Sequence, residues 1–143
     1  GTLRRRPVPA HCDASLWNRQ FALNATTAYL TARAFLPLLR SAKGAMVFFA
    51  SEAILPGGQT AGISAYAASK SALVALMQSI ALEEKATGVR ANAVAPTSIR
   101  TAANLASMGP DATYVSREDV ANVVLWLCSE DAHAVTGQIV PVR

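Results

Sequence analysis

The sequence predicts an α/β domain in which a parallel sheet carries helices on its faces. Helical and strand-like segments alternate along the chain, which is the pattern of such folds. The strand-like segments are short, continuous apolar runs, as expected for parallel strands buried on both faces. No linker, repeat or low-complexity tract divides the 143 residues. A chain of this length has room for one modest core, so we expect a single domain spanning residues 1–143.

The first half of the chain contains two predicted helices and one strand. Apolar side chains recur at helical spacing over roughly residues 14–40, and Asp13 is suited to cap the N-terminus of that helix. The apolar run Ala45–Ala50 predicts a buried strand. A second helix is predicted from about Ser64 to Ala86, and Gly88 follows as its stop signal.

The second half repeats the alternation. The run Val89–Ala95 predicts a second buried strand, and we expect residues 97–115 to be irregular. Residues 116–129 predict a third helix, capped by its first serine. Gln138–Val142 predicts a last short strand. With about three strands and three helices in a parallel sheet, functional residues are expected at the carboxyl ends of the strands.

Composition excludes several classes of protein. Hydrophobic residues make up 52% and charged residues 15% of the chain, which excludes a disordered polypeptide. The apolar runs are shorter than a membrane span, and the net charge of +4 comes without a nucleic-acid-binding motif. We therefore expect neither a membrane nor a nucleic-acid partner. Cys12 and Cys128 lie far apart without metal-type spacing, so we expect a cytoplasmic protein with no metal site.

Three side chains capable of chemistry follow the first predicted strand. Ser51 comes directly after it, and Tyr66 and Lys70 lie four residues apart, on one face of the next helix. An ammonium group beside a phenol favours the phenolate, which suits a general acid/base, and a serine hydroxyl can bind a substrate oxygen. The same spacing is also common on solvated helix surfaces, so the pair alone leaves both interpretations open.

Longer stretches of the chain resemble the C-terminal half of the short-chain dehydrogenase/reductase family. The resemblance covers the chain from about Asp13 to Val142. The matching stretches are residues 17–24, Ser51, residues 66–73, residues 89–96, Thr101 and residues 135–138. The resemblance implies the C-terminal part of a doubly wound, Rossmann-type parallel sheet. It also implies an oxidoreductase that transfers hydride between NAD or NADP and a small carbonyl or alcohol substrate. The family usually has glycine after the proline at this point, whereas this chain has Thr97 after Pro96. Together with residues 103–110, this difference gives a weaker resemblance to dihydropteridine reductases.

The resemblance implies a role for each matching residue. Tyr66 would be the general acid/base, Lys70 would support its ionisation and bind the nicotinamide ribose, and Ser51 would polarise the substrate oxygen. Asn24 would hold a water molecule in a proton relay, although a structural hydrogen bond is the alternative for this residue. Thr101 would contact the nicotinamide carboxamide, with a loop-capping role as its alternative. The implied cofactor-binding residues are Tyr66, Lys70, Pro96, Ile99 and Thr101.

The glycine-rich turn that binds dinucleotide phosphates in this family is missing from the sequence. No Gly-x-x-x-Gly-x-Gly pattern occurs in the 143 residues. We therefore expect residues 1–143 to be a partial NAD(P)-binding domain that is inactive without an N-terminal half. The strand Ala45–Ala50 would then have an unpaired edge, which favours pairing with that half or self-association as a dimer or tetramer.

Three functions remain compatible with the sequence. The chain could be part of an oxidoreductase with intact catalytic residues, or one half of a split enzyme. It could also be a truncated, non-catalytic interaction module derived from the family. The joint presence of Ser51, Tyr66 and Lys70 favours the first two.

Overall fold

The computed structural model describes residues 13–143, and within them the predicted alternation of helices and strands is confirmed. The strands are β1 (Ala45–Phe49), β2 (Arg90–Pro96), β3 (Ser98–Ile99), β4 (Tyr114–Val115) and β5 (Ile139–Val142). The main sheet is parallel and has the order β1-β2-β5. Strands β3 and β4 form a separate parallel pair. The α/β class predicted from the sequence is therefore confirmed.

Five α-helices lie around these strands in the described part of the chain. They are α1 (Ala14–Phe21), α2 (Thr27–Ala42), α3 (Ser64–Glu83), α4 (Ala102–Met108) and α5 (Arg117–Cys128). A π-helical segment, Ala22–Thr26, joins α1 to α2. Short 3₁₀ turns occupy Glu52–Ile54, Lys85–Thr87 and Glu130–Ala132.

The prediction that residues 97–115 are irregular is wrong for much of that segment, which contains β3, α4 and β4. The helix forms because Thr101 caps it: its Oγ1 accepts a hydrogen bond of 3.2 Å from the backbone N–H of Asn104. Gly109 ends it with a φ of +82°, which glycine adopts at little cost. The capping threonine and the alanines after it were the sequence signal for this helix.

The predicted helix caps are confirmed. The Oδ1 atom of Asp13 accepts a hydrogen bond of 2.7 Å from the Leu16 N–H at the start of α1. The Oγ atom of Ser116 accepts one of 2.9 Å from the Asp119 N–H at the start of α5. Gly88, with a φ of +82°, follows the 3₁₀ turn after α3 and turns the chain into β2.

Strand β2 is the centre of the core. Its side chains alternate between two apolar clusters, as expected for a strand covered on both faces. Ala91, Ala93 and Ala95 pack in the cluster that includes α3, whereas Val94 packs in the cluster that includes α5. The small side chains on the first face allow α3 to lie close to the sheet.

Helix α3 has the length and hydropathy of a membrane-spanning helix. Its buried residues are those of the core helix of a globular domain, because they pack in the cluster that contains the sheet. They include Leu73, Met77 and Ile80.

Strand β1 pairs with β2 on one side, and within residues 13–143 no strand pairs with its other edge. The predicted unpaired edge is thus confirmed for the described part of the chain. A mainly apolar groove of about 520 Å³, here called the β1 groove, lies between this edge and α2. Phe35 and Phe49 line it and are 53% and 46% exposed.

Asn92, on β2, holds the segment that leads into β5. It is completely buried, its Nδ2 donates to the Val135 carbonyl at 2.8 Å, and its Oδ1 accepts from the Gln138 N–H at 3.0 Å. Nearby, the Arg90 guanidinium donates to the carbonyl oxygens of Leu127 and Ser129 at the C-terminal end of α5. The Asn92 bonds fix the segment before β5 against β2, and the Arg90 bonds hold the end of α5 beside it.

We expect Asn92→Ala to lower the free energy of unfolding by about 1–3 kcal/mol, because both hydrogen bonds of its buried side chain to the segment before β5 are lost. Chemical denaturation of the purified protein measures this. Asn122→Ala, at an exposed position of α5, is the control and should change the stability by less than about 0.5 kcal/mol. A loss no larger than that of the control would contradict the assigned role of Asn92.

Glu84, buried at the end of α3, forms an ion pair with the half-exposed Arg40 of α2. Arg40 Nε donates to Glu84 Oε2 at 2.9 Å, and the Thr87 hydroxyl donates to the same oxygen at 2.9 Å. The hydrogen bond from Arg40 is the main cause that lowers the pKa of Glu84 to about 2. The pair ties α2 to α3.

Because the folded-state pKa of Glu84 lies below its ordinary value of 4.5, its contribution to stability is present above pH 4.5 and is lost as the pH falls towards 2. We expect Glu84→Gln to be less stable than wild type at neutral pH and to lose less stability over that acid range. Unfolding temperatures measured by circular dichroism against pH test this. The exposed neighbour Glu83→Gln should keep the wild-type pH dependence.

Candidate active site

Ser51 lies where β1 ends and a tight loop begins. The preceding residue, Ala50, donates its N–H to the Val94 carbonyl of β2 at 2.8 Å, which holds the strand end in the sheet. The Ser51 Oγ accepts a bond of 3.3 Å from the Ala53 N–H. A Cβ on Gly58 would lie 2.2 Å from the Ala53 carbonyl oxygen, so glycine is required for this loop to fold back. The loop places the Ser51 hydroxyl at the carboxyl edge of the sheet.

Tyr66 and Lys70 lie on the first turns of α3, as predicted. The Lys70 Nζ is 5.8 Å from the centroid of the Tyr66 ring. It also donates a hydrogen bond of 2.6 Å to the backbone carbonyl of Phe49, the last residue of β1. Burial removes water from the ammonium group and lowers the pKa of Lys70 below its ordinary value of 10.5. Lys70 therefore links the tyrosine helix to the end of the strand that precedes Ser51.

One cavity of about 360 Å³ brings most of the predicted site residues together, and we call it the Tyr66 cavity. It lies at the carboxyl ends of β1 and β2, where parallel sheets place their functional residues. The predicted residues that line it are Ser51, Tyr66, Lys70, Pro96 and Ile99. The others are Phe49, Ala50, Thr97, Ser98 and Asn104.

Asn24 lies outside this cavity, in the π-helical segment, and contacts α3 from behind. Its Nδ2 donates to Ser69 Oγ at 2.9 Å and to Gln20 Oε1 at 3.2 Å. Ser69 is completely buried and gives its only hydroxyl proton to the backbone carbonyl of Tyr66 at 2.8 Å. Ser69 can therefore only accept from Asn24, which fixes the orientation of the asparagine amide. Asn24 and Lys70 both line the β1 groove.

The structure places Thr101 outside the lining of the Tyr66 cavity and uses its hydroxyl as the cap of α4. Its contact with a cofactor stays a prediction. Asn104 lines the cavity instead, and its Nδ2 donates to the Ile99 carbonyl at 2.7 Å. Sequence reasoning missed Asn104 as a site residue, because the helix that presents it was not predicted.

A second cavity of about 640 Å³, the outer cleft, lies next to the Tyr66 cavity. Ser51, Pro96, Thr97 and Ser98 line both, so the two spaces share a boundary. The outer cleft continues with polar and apolar side chains that include Gln59, Ile63, Met108 and Thr113. The site thus has space for two groups, one beside Tyr66 and Lys70 and one beyond Ser51.

Among residues 13–143 no cluster of histidine, cysteine, aspartate or glutamate has the geometry of a metal site. Cys128 is a free, exposed thiol, and Cys12 lies outside the described residues.

Comparisons with known proteins agree with this architecture. Protein FixR of Bradyrhizobium diazoefficiens is 37% identical over an alignment of 136 positions that covers 89% of this chain and 48% of that protein. The 2-(S)-hydroxypropyl-CoM dehydrogenase 3 of Xanthobacter autotrophicus is 34% identical, over 87% of this chain and 55% of that enzyme. The chain thus spans about half the length of these curated relatives.

A solved structure also matches most of this chain over about half of its own length. The 3-oxoacyl-[acyl-carrier protein] reductase of Brucella melitensis, with bound NAD, is 32% identical with a TM-score of 0.78. The match covers 92% of this chain and 52% of that protein. Residues 5–143 also match the family described as Enoyl-(Acyl carrier protein) reductase. A match over nearly the whole chain, with a serine, a tyrosine and a lysine in one cavity, shows that the chain belongs to the short-chain dehydrogenase/reductase family.

Proposed function

We propose that this chain carries the catalytic half of an NAD(P)-dependent oxidoreductase that interconverts a carbonyl and an alcohol. The observation that carries the proposal is that Ser51, Tyr66 and Lys70 line one cavity at the carboxyl edge of the sheet. Surface residues that merely share this spacing would not be expected to converge with a serine from another element.

The residues of the Tyr66 cavity suit the nicotinamide end of the cofactor. Pro96 and Ile99 offer apolar surface for a ring, and Lys70 and Asn104 offer polar groups beside it. The phosphates of a dinucleotide need a glycine-rich turn, and the sequence contains none. We therefore propose that this chain binds the nicotinamide side and that residues outside it bind the phosphates.

In the proposed reduction, the carbonyl carbon would receive the hydride that NADH or NADPH supplies when bound. The electron pair of the C=O π bond moves to the oxygen, which takes the hydroxyl proton of Tyr66. Ser51 donates a hydrogen bond to the same oxygen and stabilises its developing negative charge. The Lys70 ammonium, 5.8 Å from the ring centroid, stabilises the phenolate that remains. The oxidation of an alcohol follows the same steps in reverse.

Reprotonation of Tyr66 is proposed to proceed on the side of the β1 groove. Asn24 and Lys70 both line that groove, and the amide protons of Asn24 are engaged by Ser69 and Gln20. The Asn24 Oδ1 is left as an acceptor for a water molecule beside the lysine. This arrangement supports the relay role implied by the family resemblance.

The open edge of β1 supports a further part of the proposal, that the active protein contains more than one copy of this half or a second, phosphate-binding half. The alternative of a non-catalytic interaction module would use the same edge. It gives no reason for the Ser51, Tyr66 and Lys70 arrangement, so the enzyme is the better supported function. The pterin-type substrate suggested by the weaker resemblance remains a prediction.

Titration calorimetry of the purified chain with NADH and with NADPH tests the cofactor proposal directly. Micromolar binding would show that the phosphate-binding residues are supplied within an assembly of this chain. If neither dinucleotide binds, the titration is repeated on a form that includes a phosphate-binding half. Failure of that form to bind either one would contradict the proposed function.

In the form that binds cofactor, we expect Tyr66→Phe to lower the turnover of carbonyl substrates by about 10²–10⁴-fold, because the proton donor is lost. The affinity for NADH should stay close to the wild-type value. Loss of NADH absorbance and calorimetry measure the two quantities. Tyr29→Phe, at an exposed position of α2, is the matched control. Unchanged turnover in Tyr66→Phe would remove Tyr66 from the mechanism.

We expect Ser69→Ala to lower turnover about tenfold without changing the KM of the carbonyl substrate, because Asn24 loses the acceptor that orients it. Proton exchange of the Asn24 side-chain amide, followed by NMR, should become faster. Ser71→Ala, at an exposed position of the same helix, should change neither quantity. Slow amide exchange in Ser69→Ala would show that another group orients Asn24.

A further inference from the structure

Thr97 lies at the boundary between the Tyr66 cavity and the outer cleft. It follows Pro96, the last residue of β2, and lines both spaces. Its backbone N–H donates to the Val142 carbonyl of β5 at 3.0 Å, so the sheet already uses the main-chain donor. The side-chain hydroxyl of Thr97 is therefore the hydrogen-bond donor that this residue has left for a ligand.

The hydroxyl oxygen of Thr97 is buried and has no hydrogen-bond partner among residues 13–143. No other buried side-chain nitrogen or oxygen in this part of the chain lacks a partner. A buried polar atom of this kind destabilises a protein, and valine would fill the same volume without that cost. Stability of this half of the fold therefore gives no reason for a hydroxyl at position 97.

Thr136, in the segment that leads into β5, shows how a hydroxyl beside the sheet serves a structural role. Its Oγ1 accepts a hydrogen bond of 3.2 Å from the Ala91 N–H of β2. Removal of this hydroxyl would leave a backbone donor unpaired. Removing the hydroxyl should therefore affect the stability of the protein differently at Thr97 and at Thr136.

We propose that Thr97 is a ligand-binding and specificity-determining residue. Rotation about its Cα–Cβ bond would turn the hydroxyl towards the ligand, where it would bond a polar group next to the reacting carbon. Two sources offer such a group: the carboxamide of the nicotinamide ring and a hydroxyl or carbonyl oxygen of the substrate. The inference rests on the proposed oxidoreductase function and adds to it the preference for a ligand with a hydrogen-bonding group at this position.

The first arm of the test measures stability and needs no ligand. We expect the unfolding temperature of Thr97→Val to be unchanged or raised by up to ~4 °C, because a buried hydroxyl without a partner is removed. Thr136→Val should lower it. A fall in Thr97→Val as large as that in Thr136→Val would overturn the proposal, since the hydroxyl would then be structural.

The second arm measures binding and selectivity in the form that binds cofactor. If the hydroxyl bonds the cofactor, Thr97→Val should weaken NADH binding by about 3–10-fold. If it bonds the substrate, NADH binding should stay unchanged. Wild type should then reduce acetoin in preference to butanone, which lacks the neighbouring hydroxyl, and Thr97→Val should lose that preference. Thr97→Ser should restore the wild-type value in either case.

Unchanged NADH affinity together with an unchanged ratio of acetoin to butanone turnover in Thr97→Val would overturn the proposal. Failure of every form of the wild-type protein to bind NADH or NADPH would contradict the proposed oxidoreductase instead. The unfolding measurement decides in that case whether the Thr97 hydroxyl has a structural partner.

Discussion

The burial of β2 on both faces is the constraint on which the rest of the structure depends. Its backbone pairs with β1 on one edge and β5 on the other, and its side chains enter two separate apolar clusters. Alanines on the face towards α3 leave little volume between helix and sheet. A larger side chain on this face of β2 would move α3 away from the sheet, and Tyr66 and Lys70 would move with the helix. The packing of β2 against α3 therefore determines the geometry of the site.

Close packing of α3 has an electrostatic consequence at its first turns. The Lys70 ammonium is partly removed from water, which lowers its pKa, and it bonds the Phe49 carbonyl at the end of β1. A desolvated cation interacts more strongly with a nearby phenol than a hydrated one does. The hydrogen bond to the end of β1 therefore holds the charge of Lys70 in place near Tyr66. The same strand end leads directly into Ser51.

The network behind α3 completes the site from the other side. Ser69 joins the backbone of Tyr66 to the side chain of Asn24 across the π-helical segment. π-helical turns inside α-helices often occur at functional sites, because the extra residue redirects a side chain. Here the turn brings Asn24 onto a completely buried serine of another helix. The groove beside it is also the open edge of β1, so the proton relay proposed here and the surface open to a further half of the protein lie next to each other.

Local features of the sequence were sufficient to predict the class of fold, the capping roles of Asp13 and Ser116, and the position of Ser51 after a strand. Each depends on periodicity or on contacts a few residues apart, which the sequence displays directly. The placement of Tyr66 and Lys70 on one helix face could also be predicted locally, since one helical turn aligns them.

Only the tertiary structure decided which side chains share the site and which do not. Asn24 and Ser69 are 45 positions apart, and their hydrogen bond depends on how the π-helical segment packs against α3. Thr101 serves as a helix cap and Asn104 enters the cavity because α4 forms in a segment without strong periodicity. Among residues 13–143 the Thr97 hydroxyl is buried without a partner, next to the point where the end of β2 pairs with β5. The contacts of Asn24 with Ser69 and of β2 with β5 join distant parts of the chain, so no local pattern contains them.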